Sequence, residues 1–153
     1  MSHVSKISGI DYSEDMVKLA SNINRKLVES AIAEFKQGSA SDLPWDDNEF
    51  SVVVAIEMFF FLDETDKTLK EIFRVLKPDG RLIIEMGYNK DDGLDHKKIV
   101  KKMGLKLYSE EEIKNMLKTA GFNDIIIDYF KAYWFPIKGY LVPKGMVVTA
   151  IKK

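Results

Sequence analysis

The sequence predicts a single α/β domain over residues 1–153, with a mostly parallel sheet, helices on both faces and an antiparallel pair of strands at the carboxyl end. Three observations predict this fold. Apolar runs of strand length alternate along the chain with segments whose apolar residues recur at helical spacing. One run, 50–56, is apolar on both faces, which is typical of a buried parallel strand. The last two runs, 122–130 and 146–151, are predicted to be strands that lie side by side in antiparallel orientation.

The first half of the chain is predicted to hold three strands and one helix. The first strand alternates apolar and polar side chains, and the helix after it has apolar residues at helical spacing. Asp11 or Ser13 is the expected cap of this helix. In order, the predicted elements are a strand over 4–10, a helix over 14–29, a strand over 31–35, a turn over 44–48 and a strand over 50–56.

The second half is predicted to hold two helices and three strands. The segment 77–80, Lys-Pro-Asp-Gly, stops the first helix and turns the chain. Ser109 and Glu112 form a capping box at the start of the second helix, and Gly121 ends it. In order, the predicted elements are a helix that ends near Leu76, a strand over 81–86, an irregular segment over 87–108, a helix between 109 and 121, and antiparallel strands over 122–130 and 146–151.

The composition argues against several classes of protein. The formal net charge is −1, from 23 basic and 24 acidic residues, so no global charge attracts nucleic acid or an anionic membrane. The sequence has no cysteine, which excludes disulfides and thiolate metal sites. The first residues lack the apolar core of a signal peptide, and Glu57 interrupts the longest apolar stretch, 52–62. We therefore expect a cytoplasmic protein that binds neither nucleic acid nor membrane.

Ligands of parallel α/β sheets bind beyond the carboxyl ends of the strands, so candidate residues are sought there. Asp11, after the first strand, has two interpretations. Its carboxylate could accept hydrogen bonds from both hydroxyls of a ribose, or it could cap a helix together with Glu14. Glu57, after the strand 50–56, either faces a cleft or is a structural carboxylate bonded to a neighbouring backbone amide.

Two aromatic groups could shape a pocket for a substrate, although core packing is the safer interpretation of both. One is the run 59–61. The other could also form a dimer contact. It lies near the carboxyl end and consists of Tyr129, Phe130, Tyr133, Trp134, Phe135 and Tyr140.

The histidines offer little for catalysis or metal binding. Asp91, Asp92, Asp95 and His96 share one loop, but their spacing matches no known set of metal ligands, which favours a solvated loop without a metal. The sequence contains no nucleophile with a recognisable partner base. No catalytic residue and no metal ligand are therefore predicted.

Three motifs carry a resemblance to a known family. They are Gly9-Ile10-Asp11-Tyr12-Ser13, Gly38-Ser39-Ala40-Ser41-Asp42-Leu43-Pro44 and Arg74-Val75-Leu76-Lys77-Pro78-Asp79-Gly80. In order and spacing they resemble the class I S-adenosylmethionine-dependent methyltransferases of the small-molecule type. The resemblance spans residues 8–153. It implies a Rossmann-like sheet, S-adenosylmethionine as cofactor and methyl transfer to a small-molecule acceptor that the sequence does not identify.

The resemblance implies that the first motif and the helix after it bind the nucleoside part of the cofactor. Asp11 matches the acid that binds the ribose in this family. Tyr12 stands where the family places a side chain against the adenine. Met16, one helical turn beyond Ser13, is expected either to line the same pocket or to pack within the protein.

The resemblance implies three further contacts with the cofactor. The family usually has an acid and then a small residue in the second motif, which together hold the adenine amino group and a ring nitrogen. Ala40 fits, because its backbone amide can serve, whereas Ser39 replaces the acid and predicts a weaker hydrogen bond. Glu57 stands where the family approaches the methionine part of the cofactor or the methyl acceptor.

The beginning of the chain departs from the family pattern. The family has a first strand and a glycine-rich loop before the position of Gly9, where this sequence has eight residues. That strand lies in the middle of the family's sheet, so the resemblance implies a domain truncated at its amino end, with the first strand missing. The strands beside the gap would pair directly or leave apolar edges that invite association. We therefore expect a homo-oligomer, and exchange of elements between chains is one way to form it.

Two functional hypotheses follow. The first is a methyltransferase, for which holding the donor and the acceptor in line supplies much of the rate. The alternative is a non-catalytic remnant that serves as a binding or oligomerisation module. The missing glycine loop favours the second hypothesis, whereas Asp11, Ala40 and the aromatic residues near the carboxyl end favour the first. A nicotinamide-binding domain is disfavoured, because such domains also need the glycine loop.

Overall fold

The structure, a computed structural model, describes residues 6–131 and 144–153. The chain divides into two compact units, Met1–Pro44 and Trp45–Lys153, which we name the N-terminal unit and the C-terminal unit. The elements are β1 (Ile7–Asp11), α1 (Glu14–Ile23), α2 (Arg25–Glu29), β2 (Ala33–Gln37), β3 (Phe50–Ile56), a 3₁₀ turn (Phe59–Phe61), α3 (Thr65–Val75), β4 (Leu76–Met86), α4 (Lys97–Met103), α5 (Glu110–Thr119), β5 (Phe122–Lys131) and β6 (Lys144–Lys152). The single domain predicted over 1–153 stays a prediction.

The N-terminal unit contains a two-stranded parallel sheet, β1 and β2. Gly9 lies opposite Phe35, and a Cβ atom at Gly9 would stand 2.6 Å from Cδ1 of the Phe35 ring, so a glycine is needed there. The helix predicted over 14–29 is divided at Asn24, which is a correction. The Asn24 amide side chain donates to Ala20 O at 2.9 Å and competes with the helical backbone pattern at that point.

The C-terminal unit contains a four-stranded sheet in the order β3-β4-β6-β5. β3 pairs in parallel with β4, whereas β6 pairs antiparallel with both β4 and β5. The predicted antiparallel pair at the carboxyl end is therefore confirmed.

The predicted turn at 77–80 is a bulge inside β4. Phe50 pairs with Leu76 and Val52 pairs with Arg81, so the four residues between Leu76 and Arg81 stand outside the ladder. Asp79 has a φ of 62°, which is the left-handed conformation typical of bulges and tight turns. The chain therefore ends α3 and begins the strand without a separate connecting loop.

The core of the C-terminal unit lies between its sheet and the helices α3 and α5. α3 buries Leu69, Ile72 and Val75, and α5 buries Ile113 and Leu117. The strands contribute fully buried side chains from β4 and β6, namely Leu82, Ile84, Met86, Met146, Val148 and Ala150. Burial of this alternating apolar set fixes the register of the central strands.

β3 is an edge strand, which corrects the prediction that it is buried on both faces. Ala55 is buried, but Val52, Val54 and Ile56 are 49%, 54% and 62% exposed. The strand bounds were predicted correctly, since β3 spans Phe50–Ile56. Its apolar composition is typical of a strand with neighbours on both sides. In the described part of the chain, β4 is the one strand that pairs with β3.

The segment 87–108, predicted to be irregular, contains the helix α4. α4 ends at Gly104, whose φ of 66° is the left-handed conformation that closes many helices. The predicted capping box at the start of α5 is confirmed: the Glu112 amide donates to Ser109 Oγ at 3.2 Å, and the Ser109 amide donates to Glu112 Oε2 at 2.7 Å. Among the residues that the structure describes, no helix combines the length and the apolar character needed to cross a bilayer.

Candidate functional site

The carboxyl ends of β1 and β2 bring two of the predicted motifs to one edge of the N-terminal unit. Asp11 pairs in register with Gln37, the last residue of β2. The Gly38 amide then donates to Asp11 O at 3.0 Å. The segment 38–40 therefore begins beside Asp11, as the parallel arrangement of the two strands requires.

The Asp11 side chain makes one local hydrogen bond and keeps one oxygen free. Its Oδ1 accepts from the Ser13 amide at 2.8 Å, which forms a tight turn ahead of α1. Ser13 caps α1, with its Oγ 3.4 Å from the Met16 amide. Asp11 is exposed, and Oδ2 has no partner within 6–131 and 144–153. The local and the ligand-binding interpretations of Asp11 are thus compatible.

Tyr12 and Met16 present apolar surface at the same end of the N-terminal unit. Tyr12 is 84% exposed and Met16 is 50% exposed. The backbone of Tyr12 is held by Gln37, whose Nε2 donates to Tyr12 O at 3.1 Å. Met16 lies in the first turns of α1, a helix without a buried residue. Met16 is therefore not closely packed within the protein, which was the second interpretation of this residue from the sequence.

Ser39 and Ala40 differ in what they leave free. Ser39 Oγ lies 2.9 Å from Ser41 Oγ and accepts from the Ser41 amide at 3.2 Å, so much of its bonding capacity is used within the turn. The Ala40 amide donates to no residue that the structure describes. The edge of the N-terminal unit thus offers one free carboxylate oxygen and one free backbone donor.

Glu57 belongs to the C-terminal unit and follows β3 directly. It has a φ of 53°, and its Oε1 accepts from the Gly87 amide at 2.5 Å. The sequence left open a structural carboxylate bonded to a backbone amide, and the structure shows that bond. A Cβ atom on Gly87 would stand 2.7 Å from Glu57 Oε1, so the contact requires a glycine.

Glu57 and Glu85 form a carboxyl pair at the carboxyl ends of β3 and β4. Burial raises the pKa of Glu57, although hydrogen bonds from the Gly87 amide and from Glu85 oppose the rise. Burial also raises the pKa of Glu85, and the charge of Glu57 adds to it. Two desolvated acids in contact favour retention of a proton by one of them.

Replacing Glu85 by Gln is expected to stabilise the protein at pH 7. The pKa values of both glutamates are raised from 4.5, so the folded state binds more protons than the unfolded state as the pH rises above 4.5. Their contribution to the free energy of unfolding therefore falls with rising pH until both are ionised. Urea unfolding from pH 4 to pH 8 should show a shallower fall for Glu85→Gln than for the wild type. Glu111→Gln, on the exposed side of α5, serves as control, and an equal slope for all three proteins would contradict this account.

A second pair of side chains lies in the loop between β4 and α4. His96 Nε2 lies 2.8 Å from both Oδ1 and Oδ2 of Asp92. The Asp92 side chain is 0% exposed and that of His96 is 10% exposed. The prediction of a solvated loop is therefore wrong for this pair. The sequence did offer one signal of this contact, since Asp92 and His96 are four residues apart just before the lysine-rich helix α4.

The remaining predictions about aromatic and metal-binding residues have mixed outcomes. Phe59 and Phe60 are buried, as core packing predicts, but Phe61 is 56% exposed. Within the described residues no group of three or more side chains is arranged to hold a metal ion. In the carboxyl-terminal aromatic group, Tyr129 is 45% exposed and its hydroxyl donates to Glu110 at 2.8 Å. Tyr133, Trp134, Phe135 and Tyr140 lie outside the described residues.

A family profile described as a methyltransferase domain matches residues 1–84, more than half of the chain. The chain belongs to the methyltransferase domain family. The predicted family is therefore confirmed, and S-adenosylmethionine is the cofactor that this family implies. The matched residues include all three motifs of the resemblance, 9–13, 38–44 and 74–80.

Individual methyltransferases are similar to parts of this chain. A demethylmenaquinone methyltransferase of Lactobacillus johnsonii is 28% identical over 144 residues, which cover 79% of this chain and 59% of that protein. Phosphoethanolamine N-methyltransferase 1 of Arabidopsis thaliana is 26% identical over 124 residues, covering 80% of this chain and 25% of that protein. The chain thus spans less than two thirds of the length of these relatives.

Solved structures confirm the Rossmann-like fold of this methyltransferase family member. Phosphoethanolamine N-methyltransferase 2 of Haemonchus contortus, in complex with S-adenosyl-L-methionine, has a TM-score of 0.78 at 20% identity. The match covers 96% of this chain and 43% of that one. The [4+2]-cyclase SpnF has a TM-score of 0.78 at 23% identity, covering 96% of this chain and 66% of that one. The same fold therefore carries reactions other than methyl transfer.

Proposed function

We propose that this methyltransferase-family chain binds S-adenosylmethionine and takes part in methyl transfer to a small-molecule acceptor. One observation supports the proposal above the others. The paired carboxyl ends of β1 and β2 present a free oxygen of Asp11 and the free amide of Ala40 at one edge of the N-terminal unit. This is the edge at which parallel α/β sheets bind nucleotides.

These groups suit the nucleoside part of the cofactor. Asp11 Oδ2 would accept from a ribose hydroxyl, and the exposed Tyr12 ring offers an apolar face for the adenine. The Ala40 amide would donate to an adenine ring nitrogen. The Ser39 hydroxyl is already engaged with Ser41, so we expect it to contribute less than the acid it replaces. Binding by Met16 and by Glu57 is also part of the proposal.

The chemistry asks little of the protein beyond position. When bound, S-adenosylmethionine supplies a methyl group on a sulfonium, which is already activated toward a nucleophile. The chain then has to orient the donor and hold the acceptor in line with the carbon–sulfur bond. The Glu57–Gly87 contact at the carboxyl ends of β3 and β4 provides a rigid carboxyl group with which the C-terminal unit could orient a polar ligand.

The alternative is a module that binds without catalysing methyl transfer. The similarity in fold to the [4+2]-cyclase SpnF keeps this alternative open, since fold alone does not determine the reaction. A calorimetric titration of the 153-residue chain with S-adenosylmethionine distinguishes the two. Saturable binding followed by transfer of an isotope-labelled methyl group supports the methyltransferase. Binding without transfer supports the module, and no binding up to millimolar ligand by a folded chain contradicts the proposal.

We also propose that the chain forms a homo-oligomer through β3. Val52, Val54 and Ile56 lie on one face of this edge strand and are about half exposed or more. Exposed apolar side chains beside unpaired backbone groups are a template for association with a second copy. A two-fold arrangement would pair the edge with itself.

Sedimentation over a range of concentrations tests this association. The wild type is expected to be dimeric or larger, and Val54→Lys is expected to shift it toward the monomer by placing a charge in the interface. Ser51→Lys is the matched control on the opposite face of the same strand. A wild type that remains monomeric at the highest concentration would exclude the homo-oligomer.

A further inference from the structure

We infer that α4 is a docking surface for an anionic lipid membrane. The helix presents a face of lysines and, beside it, apolar side chains that the protein covers incompletely. Both features lie within the C-terminal unit, and neither depends on the cofactor or on the proposed function. The spacing of the lysines, their lack of ion-pair partners and the exposure of the apolar side support the assignment in turn.

Four lysines lie on one face of α4. Lys97 and Lys101 are four residues apart, as are Lys98 and Lys102, so each pair shares a side of the helix. At 3.6 residues per turn, the four side chains fall within an arc of about 140°. All four are exposed. Like charges at this spacing destabilise a helix, and lysines in its first turn oppose the helix dipole. Such a local conflict is expected where a surface serves a function.

The lysines of α4 have no ion-pair partner among the residues that the structure describes. Other helices pair several of their cations with an acid on the same helix. These pairs are Lys18 with Glu14, Arg25 with Glu29, Arg74 with Glu71, and Lys114 with Glu110. The charge of α4 therefore remains available to a partner outside the described chain.

The acids that precede α4 are bonded elsewhere. The Asp92 side chain is 0% exposed and lies 2.8 Å from His96 Nε2. Asp91 Oδ2 accepts from the Glu110 amide at 2.7 Å, and Asp95 Oδ1 accepts from a backbone amide at 3.0 Å. The segment 97–103 itself contains no acid. Its lysine face thus carries four positive charges without a negative one.

The formal net charge of −1 does not exclude such a contact. Net charge averages over the whole chain, whereas exposed charges are screened beyond about 8 Å at physiological ionic strength. A membrane that touches α4 would therefore respond to the four lysines and little to the distant acids. For this helix, the local charge replaces the expectation of no membrane partner that the net charge supported.

The apolar side of α4 is covered incompletely. Ile99, Val100 and Met103 share this side, yet α4 has no buried residue. Met103 is 49% exposed, and the other two are partly buried. α3 and α5, by contrast, bury apolar residues in the core of the same unit. A helix with a cationic face beside an accessible apolar one is typical of segments that lie at a membrane surface.

The side chains of α4 favour a lipid surface over a nucleic acid. The helix contains no aromatic, arginine, asparagine or glutamine residue, which are the types that stack on bases or read their edges. Its lysines are flexible point charges, which suit a fluid array of phosphate groups. Met103 would gain from transfer out of water into the acyl region. An anionic phospholipid offers both kinds of contact.

Vesicle sedimentation tests the role of the charge. The probe is a vesicle of phosphatidylcholine and phosphatidylglycerol in equal parts, and phosphatidylcholine alone is the reference. We expect binding to the anionic vesicles alone at about 0.05 M salt, and release at about 0.5 M salt. Lys98→Gln combined with Lys102→Gln should weaken binding about 25-fold, or about fivefold for each lysine. A wild type that does not bind the anionic vesicles at low salt overturns the inference.

A matched variant separates the lysine face from net charge. Lys70→Gln combined with Lys118→Gln removes the same charge from exposed positions on α3 and α5, and should change vesicle affinity by less than about twofold. Equal weakening by the two double variants would show that the total charge, and not α4, determines binding. That outcome also overturns the inference.

The absence of cysteine allows a single label to report the place of contact. Met103→Cys carries an environment-sensitive dye on α4, and Lys118→Cys carries the same dye on an exposed position of α5. On anionic vesicles, emission from residue 103 is expected to shift to shorter wavelength while that from residue 118 stays constant. A shift at 118 as large as that at 103, or no shift at 103 while the protein binds, would place the contact elsewhere.

The exposed methionine distinguishes a membrane from a nucleic acid. Met103→Ser is expected to weaken vesicle binding about fivefold, whereas Met103→Leu should preserve it. Single-stranded poly(U) is the competing polyanion. A wild type that binds poly(U) more tightly per phosphate than vesicles, or a Met103→Ser variant that keeps the wild-type affinity for vesicles, overturns the inference. None of these measurements uses S-adenosylmethionine, so each of these outcomes leaves the proposed function unchanged.

Discussion

Asp11→Ala is expected to weaken S-adenosylmethionine binding by about 30-fold to 1,000-fold, which corresponds to roughly 2–4 kcal/mol. The estimate follows from the loss of one or two hydrogen bonds to a charged acceptor. Asp11 is exposed and Oδ2 is free within the described residues, so the carboxylate needs no rearrangement to bind a ribose. Isothermal titration calorimetry measures the change directly.

Two variants separate the ligand contact from the local fold. Asp11→Asn keeps an oxygen for the Ser13 amide, so it should preserve the turn while losing the charge, and we expect an intermediate affinity. Asp42→Ala removes an exposed acid three residues after Ser39 and should bind as the wild type does. If Asp11→Ala and Asp42→Ala bind with equal affinity, the ribose contact is not made by Asp11.

Gly87→Ala is expected to lower the free energy of unfolding by about 2–3 kcal/mol, the cost of breaking a hydrogen bond to a charged group in a partly buried place. The added methyl group would stand 2.7 Å from Glu57 Oε1 and would displace the carboxylate from the Gly87 amide. Glu57 would then keep its desolvation without its backbone donor. Urea unfolding at pH 7 measures the loss.

A double-mutant cycle identifies the origin of that loss. In the background of Glu57→Ala, the methyl group at Gly87 meets no carboxylate, so Gly87→Ala should cost little. An equal cost in both backgrounds would place the effect elsewhere, for example in the packing of the β4 end. The cycle therefore tests the contact and not only the two positions.

The sequence predicted the strands more accurately than their surroundings. The bounds of β3 were correct because its composition is strongly β-branched, and the capping box of α5 was correct because both of its hydrogen bonds are local. Burial is a property of neighbours that sequence periodicity does not contain. For that reason β3 was predicted to be buried on both faces, although Val54 is 54% exposed.

Two features of the helices were also not predicted from the sequence. The break at Asn24 depends on a side chain that bonds to the preceding turn, which apolar spacing does not report. α4 was missed because its seven residues include four lysines and give a weak apolar pattern.

The candidate site divides between local and long-range contacts. Asp11 and Ala40 could be found from short motifs, because each follows directly after a strand. The bond between Glu57 and Gly87 spans thirty positions, and the pair of Glu57 with Glu85 depends on the register of β3 against β4. The Asp92–His96 pair is near in sequence, but its burial arises from Tyr88 and from the fold of the loop.

The N-terminal unit has little apolar interior of its own. Of its described residues, Ala33 and Leu43 are the buried apolar ones, and no residue of α1 is buried. Segments with few buried contacts open locally at low free energy, so in deuterated water the amides of β1 and β2 should exchange well before those of β4 and β6. A ligand held by Asp11 and Ala40 would slow that exchange, because it binds the closed form alone. Part of its binding energy would then be spent on ordering the very strands that recognise it, and deuterium uptake would report occupancy of the site residue by residue.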